Sequence, residues 1–171
     1  GCEFVEDPPQ AGWLDSAGLQ TAGPPKSISQ IAYALDNTTK TRAIFEINKG
    51  TNKIPDIDVN AQIPDEDRRV PIQNMIYIAD GPSDIPVFSI VNRFGGRTFA
   101  VYQPGSSEEF SQVNNLQKHG RVQSYGEAEY TDGSQTAMWI DNAVNEIARL
   151  IVANRQRALG DKIGKPPKHL D

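Results

Sequence analysis

The chain has 171 residues, of which 37% are hydrophobic and 23% are charged, with a mean hydropathy of -0.52. Its net charge of -5 argues against a nucleic-acid partner, because binding to a phosphate backbone needs clustered Lys and Arg. No apolar run approaches the roughly 20 residues that cross a bilayer, and the single cysteine, Cys2, excludes an intrachain disulfide and a cysteine-cluster zinc site. We therefore expect a cytoplasmic protein with neither a membrane nor a nucleic-acid partner.

The first fifty residues predict two strands and a helix. The apolar start Cys2–Val5 predicts a brief strand, followed by an irregular connection rich in Pro and Gly. The alternating segment Ser27–Leu35 predicts a second strand, with a helix as the alternative because of Ala32 and Ala34. Residues 37–39 offer N-cap side chains for a helix that runs from Lys40 to about Lys49, and Gly50 ends it.

The middle of the chain predicts a long loop and then a strand, a turn and a helix. Residues 51–73 are polar and contain three prolines. A loop of this length is unusual inside a compact domain, so we interpret it as functional or as an insertion. The apolar run Met75–Ala79 predicts a buried strand, residues 80–84 a tight turn, and Pro86 the first turn of a helix that reaches Gly95.

The sequence from residue 97 onwards predicts two further strands, one short helix and one long helix. Arg97–Tyr102 is typical of a second buried strand, and the polar residues 106–126 predict one short helix. Ala128–Tyr130 predicts a third short strand. Ser134–Leu159 has the periodicity of a long amphipathic helix, and residues 160–171 predict a frayed basic tail.

Two carboxylates, Asp80 and Asp84, directly follow the predicted strand Met75–Ala79. In open α/β sheets, ligands bind where the carboxyl ends of strands meet helix N-termini. A carboxylate pair at that place suits Mg²⁺, which proteins hold with a few carboxylates, water and substrate phosphate. The alternative is that Asp84 only caps the helix and Asp80 only occupies a turn, because Asp favours both positions.

A lysine is expected beside this pair. A crossover helix begins near the carboxyl edge of the sheet, so Lys40 should converge with Asp80 and Asp84, whereas Lys49 should lie at the opposite edge. A lysine at such a place can hold a phosphate or stabilise an ionised nucleophile. The alternative is a solvated surface lysine. The segment Asp56-Ile57-Asp58 has the spacing of a nucleophilic DxD motif, but it falls in the loop rather than after a buried strand, so we assign it no role.

Four strings follow one another along the chain: NTTKTRAIFEINKG, NMIYIADGPSDIPVF, GGRTFAVYQPG and GEAEYTDGSQT. Together they resemble the haloacid dehalogenase superfamily, specifically its phosphoserine-phosphatase-like hydrolases, and the resemblance covers about residues 37–158. The second string is similar to the fourth motif of that family, and the first to the third motif. The resemblance implies an α/β, Rossmann-like three-layer sandwich. It also implies Mg²⁺-dependent hydrolysis of a small phosphoric monoester through an aspartyl-phosphate intermediate.

The resemblance also implies roles for individual residues. Asp80 would be a direct Mg²⁺ ligand, with Asp84 as its acidic partner in the metal site. Lys40 would bridge the nucleophile and the transferred phosphoryl group as a catalytic residue. Gly81 would permit the tight turn, and Ser83 would support Asp84.

The chain departs from the family pattern because it lacks two of the family's motifs. Neither the first motif, DxDx(T/V), which carries the nucleophile, nor the second motif is found upstream of Lys40. We therefore expect residues 1–159 to be the C-terminal portion of a core domain that lacks its first two core strands and its cap. Cys2–Val5 would be its third core strand. Such a fragment has no nucleophile and should be inactive alone.

An incomplete sheet has consequences for association. The edge of the predicted strand Met75–Ala79 would be uncovered, and uncovered edges and apolar patches favour self-association or pairing with the missing N-terminal half. The alternative function is a non-catalytic α/β binding or interaction module, in which Asp80 and Asp84 serve as turn and cap. A response-regulator-like acceptor domain fits less well, because its acidic pair should come early in the fold.

Overall fold

The computed structural model of the chain describes residues 2–6, 28–34, 36, 38–54 and 56–163. The chain forms two compact units, residues 1–39 and residues 40–171. The predicted irregular connection after the first strand, residue 37 of the predicted N-cap, and the predicted tail beyond Ile163 lie outside the described residues.

The first unit contains a two-stranded antiparallel sheet of β1 (Cys2–Glu6) and β2 (Ile28–Ala34). Both predicted strands are therefore confirmed. The expectation that Cys2–Val5 forms a core strand of the main sheet is wrong. The reason is that β1 forms its backbone hydrogen bonds with β2, in a sheet separate from the parallel one.

From Thr39 onwards the chain alternates helices and strands. The elements are α1 (Thr39–Lys49), β3 (Ile76–Ala79), α2 (Ile85–Arg93), β4 (Arg97–Tyr102), α3 (Ser107–Lys118), β5 (Ser124–Glu127) and α4 (Gln135–Ile163). The three strands form an open parallel sheet in the order β3-β4-β5, with Ala79 opposite Ala100 and Tyr102 opposite Glu127. The described part of the chain is thus a mixed α/β structure with four helices, as the sequence predicts at this level.

The third parallel strand does not lie where the sequence predicts it. The structure places it at Ser124–Glu127 rather than Ala128–Tyr130, so that prediction is wrong. A Cβ atom on Gly126 would lie 2.9 Å from Thr136 Oγ1 and 3.0 Å from Phe99 Cζ. The position of this polar strand therefore depends on close approach by its neighbours, which its own side-chain pattern does not reveal.

Helices cover both faces of the parallel sheet. On one face, buried residues from the helices and the sheet form two clusters. The first comprises Ile44, Ile72, Met75, Val87 and Val91. The second comprises Phe88, Ala100, Val113, Leu116 and Val122. Phe99 points to the opposite face, because neighbouring residues of a strand alternate, and its ring centroid lies 4.6 Å from that of Trp139 on α4.

Helix α4 continues to Ile163, past its predicted end at Leu159. Ala143 and Ile147 are buried, but the apolar residues Val144 and Ile151 of the same helix are exposed. The apolar pattern of α4 is therefore wider than the face that packs in the described structure. None of the described helices is both long enough and apolar enough to cross a membrane.

Side chains at the end of α1 donate hydrogen bonds to the backbone of the loop 51–73. Lys49 Nζ donates to the carbonyl oxygens of Val59, at 2.5 Å, and Ala61, at 2.7 Å. The buried Asn48 donates from Nδ2 to the Val70 carbonyl at 2.8 Å. Lys49 is thus engaged by the loop, and the prediction that it stays away from the acidic pair is confirmed.

The buried hydroxyl of Thr98 forms two hydrogen bonds at the start of β4. Thr98 is fully buried, and its Oγ1 donates to Asn92 Oδ1 at 2.7 Å and accepts from the Gln123 backbone N–H at 3.1 Å. We expect Thr98→Val to lower the free energy of unfolding by about 2 kcal/mol, because it leaves two polar partners unpaired at nearly constant volume. Urea unfolding measures this. Thr131→Val, in an exposed loop, is the control. Equal stability of the two variants would show that these bonds contribute nothing.

Candidate functional site

The acidic pair lies at the carboxyl end of an edge strand. β3 ends at Ala79, Asp80 and Gly81 follow, a short 3₁₀ turn spans Pro82–Asp84, and α2 begins at Ile85. The strand, turn and helix therefore lie where they were predicted, although β3 is half-buried rather than buried. Among the described residues β3 pairs only with β4, so its other edge carries no strand there.

Lys40, in the first turn of α1, contacts this turn. Its Nζ lies 2.8 Å from Asp84 Oδ1 and 3.4 Å from Ser83 Oγ. The side chain of Lys40 is 27% exposed, whereas that of Asp84 is 2% exposed. The predicted convergence of Lys40 with Asp84 is confirmed, and the alternative of a fully solvated lysine is wrong.

The carboxylate of Asp84 accepts hydrogen bonds at both oxygens. Oδ1 accepts from Lys40 and from the hydroxyl of Tyr77, at 2.5 Å, and Oδ2 accepts from the Ser83 hydroxyl at 3.0 Å. Ser83 thus contacts the carboxylate of Asp84, while its supporting role in a metal site stays a prediction. Asp84 makes no side-chain capping bond to α2, so the interpretation of Asp84 as only a helix cap is wrong.

These contacts determine the charge states of the site. Burial raises the pKa of Asp84, but the hydrogen bonds from Lys40, Tyr77 and Ser83 outweigh burial and leave that pKa below its ordinary value. Burial, the bond to Asp84 and the charges of Asp84 and Asp80 raise the pKa of Tyr77 well above its ordinary value. At neutral pH, Asp84 is therefore ionised, and Tyr77 keeps the proton that it donates.

Asp80 and Gly81 differ from the rest of the turn. Asp80 is exposed and has no hydrogen-bond or ion-pair partner within the described ranges, so the structure does not bring it into contact with Lys40. Gly81 has φ -165° and ψ -176°, an extended conformation that any residue adopts, and a Cβ there would meet no heavy atom within 4 Å. The expectation that Gly81 is needed for a tight turn is wrong, because neither its backbone nor its surroundings require glycine.

The described part of the site has one open carboxylate, that of Asp80, and no closed cage of metal ligands. Across the described ranges, no group of three or more His, Cys, Asp or Glu residues could hold an ion. Mg²⁺ is usually held by one or two carboxylates together with waters and phosphate oxygens. Asp80 suits that role because its carboxylate is open, whereas both oxygens of Asp84 already accept hydrogen bonds from protein side chains.

Sequence reasoning missed Tyr77. A signal was available, because Tyr77 places a hydroxyl inside the otherwise apolar run Met75–Ala79, and a buried tyrosine hydroxyl usually has a partner. The DxD segment behaves as predicted. Asp56 and Asp58 are exposed in the loop after α1, and Asp58 Oδ1 only accepts from the Asn60 backbone N–H at 2.8 Å.

Comparison with known proteins gives one similarity that bears on this chain. A protein of Borreliella burgdorferi (strain ATCC 35210 / DSM 4680 / CIP 102532 / B31), described as uncharacterized, is 37% identical over 118 residues. The match covers 67% of this chain and 39% of that protein, so the chain spans well under half the length of this relative. No protein-family model and no solved structure matches the chain.

Proposed function

We propose that the chain carries part of the active site of a phosphatase of the haloacid dehalogenase superfamily, with a Rossmann-like α/β core. The observation that supports this most is the 2.8 Å contact between Lys40 Nζ and Asp84 Oδ1. The two residues are 44 positions apart in the sequence. They lie in the two strings that resemble the third and fourth motifs of that family, and they meet at the carboxyl end of a parallel strand, where α/β proteins bind ligands.

In this proposal Asp80 holds Mg²⁺ and Lys40 faces the phosphoryl group. Bound Mg²⁺ would neutralise charge on the phosphoryl oxygens. A lysine ammonium has three N–H donors, and the contacts to Asp84 and Ser83 engage at most two of them. Because Lys40 is partly exposed, its remaining donor and its charge can stabilise a phosphoryl oxygen in a partly dehydrated site.

The nucleophile of the proposed reaction is not in this sequence. The chain contains two DxD segments, at 56–58 and 65–67, and neither continues as DxDx(T/V). We assign the attacking aspartate to another part of the whole protein, which acts on a small phosphorylated substrate, and we place that protein in the cytoplasm. This chain alone is proposed to be an inactive half-site.

A second candidate function is a non-catalytic α/β binding module. The absence of a DxDx(T/V) motif from the sequence favours it for this chain. The two candidate functions predict different Mg²⁺ binding. The phosphatase site binds Mg²⁺ at Asp80, whereas a module that uses Asp80 only as a turn residue does not.

We expect Asp80→Asn to abolish Mg²⁺ binding, because the amide keeps the size of the side chain but removes the charge that attracts a hard cation. Titration calorimetry with Mg²⁺ alone measures this. Asp56→Asn is the matched control, because Asp56 is an exposed carboxylate in the loop after α1. Mg²⁺ binding that is equally strong in Asp80→Asn, or that is absent from the unaltered chain, would contradict the proposed phosphatase site and favour the binding module.

A further inference from the structure

Tyr77 connects the edge strand to the ion pair. Its hydroxyl donates to Asp84 Oδ1 at 2.5 Å, the same oxygen that accepts from Lys40 at 2.8 Å. The contact joins the middle of β3 to the turn that precedes α2. Lys40 joins the same oxygen from α1, so three elements of the second unit meet at one atom.

The ring of Tyr77 is held in place by α2. Its centroid lies 5.5 Å from that of Phe88, with the two ring planes at 76°. Phe88 is fully buried and lies one turn after Asp84 in the same helical segment. The ring also packs against both buried clusters of the core. The position of the hydroxyl is therefore determined by packing that does not depend on the hydroxyl itself.

The shared oxygen has an electrostatic consequence for Lys40. Without the Tyr77 hydroxyl, Oδ1 of Asp84 would accept only from Lys40 among these donors, and the hydrogen bond from Ser83 would restrain the carboxylate through Oδ2 alone. Hydrogen bonds from Tyr77 and Ser83 restrain both carboxylate oxygens and share the negative charge. The Lys40 ammonium group then has a fixed orientation, and part of its positive potential remains available to a second anion.

We propose that Tyr77 is a positioning residue, whose hydroxyl orients Asp84 and thereby fixes the Lys40 ammonium for a phosphoryl anion. This inference rests on the function proposed above. Tyr77 touches neither the anion nor the metal in this arrangement, and it acts only through Asp84.

The test compares the unaltered chain with Tyr77→Phe, which keeps the ring and removes only the hydroxyl. Tyr125→Phe is the matched control, because the hydroxyl of the half-buried Tyr125 donates to Asn114 Oδ1 and not to Asp84. Two quantities are measured: the order of the Lys40 ammonium by NMR relaxation, and the affinity for inorganic phosphate in the presence of Mg²⁺. Thermal unfolding verifies that all three proteins are folded.

In Tyr77→Phe we expect a less ordered Lys40 ammonium and a loss of phosphate affinity of about fivefold, as for one modest hydrogen bond, with no change in Tyr125→Phe. If the unaltered chain binds phosphate and Tyr77→Phe retains its affinity, or retains the order of Lys40, the positioning role is wrong while the proposed function stands. If the unaltered chain binds no phosphate with Mg²⁺, the proposed function itself fails, and this inference fails with it.

Discussion

Replacing Gly96 with alanine is expected to lower the free energy of unfolding by about 3 kcal/mol, because an added methyl group has no space at this position. A Cβ there would lie 2.5 Å from Val91 Cγ1, 2.7 Å from the Ile72 carbonyl oxygen and 3.2 Å from the Met75 carbonyl oxygen. The two carbonyl oxygens belong to the backbone that leads into β3. Relieving these close contacts therefore requires that backbone to move.

Urea unfolding of Gly96→Ala measures this effect. Gly160→Ala is the control, since a Cβ at Gly160 meets no heavy atom within 4 Å and the residue lies in α4. Alanine is the better helix former, so the control is expected to gain up to about 1 kcal/mol. A Gly96→Ala variant as stable as the unaltered chain would show that the packing of Gly96 against Val91 and against the backbone before β3 is looser than these distances imply.

Replacing Lys40 with methionine is expected to lower the free energy of unfolding at pH 7 by about 2 kcal/mol. The change leaves the Asp84 carboxylate, 2% exposed, without its cation. Removing one partner of a buried ion pair is strongly destabilising. Lys40 is 27% exposed, so solvent screens the pair and the loss is smaller than for a fully buried one.

The loss of stability in Lys40→Met should depend on pH. In the unaltered chain the pKa of Asp84 is below its ordinary value, so the ionised carboxylate stabilises the fold above the usual carboxyl pKa of about 4. That contribution disappears as the pH falls through the lowered pKa. Without Lys40, burial raises the pKa of Asp84 with less opposition. The difference between the two proteins is therefore largest near neutral pH and shrinks as the pH falls.

Urea unfolding at several pH values between neutral and acidic measures both effects. Lys118→Met, which removes an exposed lysine from the last turn of α3, controls for the change in net charge. A deficit in Lys40→Met that stays constant on acidification would mean that it comes from lost packing rather than from the unpaired carboxylate. A deficit no larger than that of Lys118→Met would mean that the ion pair does not stabilise the fold.

The sequence by itself determined the elements that depend on local pattern. The apolar run before Asp80 and the proline after Asp84 were sufficient to predict β3, the turn and α2, because hydrophobic alternation and backbone preference act within about ten residues. The expectation that the helix before β3 begins near the carboxyl edge of the sheet placed Lys40 beside Asp84, although β2, the strand before that helix, pairs in a separate sheet. The contact between Lys40 and Asp84 was therefore predictable before its geometry was known.

Tertiary structure decided what depends on partners distant in the sequence. β5 pairs with β4 although its own residues carry no strand pattern, and Gly126 lies too close to Phe99 and Thr136 for a larger residue. β1 pairs with β2 rather than with the parallel sheet, which no local pattern specifies. A hydrogen bond such as that of Tyr77 to Asp84 requires two backbones to be brought together first, because a side chain's sequence neighbours determine its secondary structure but not its partner.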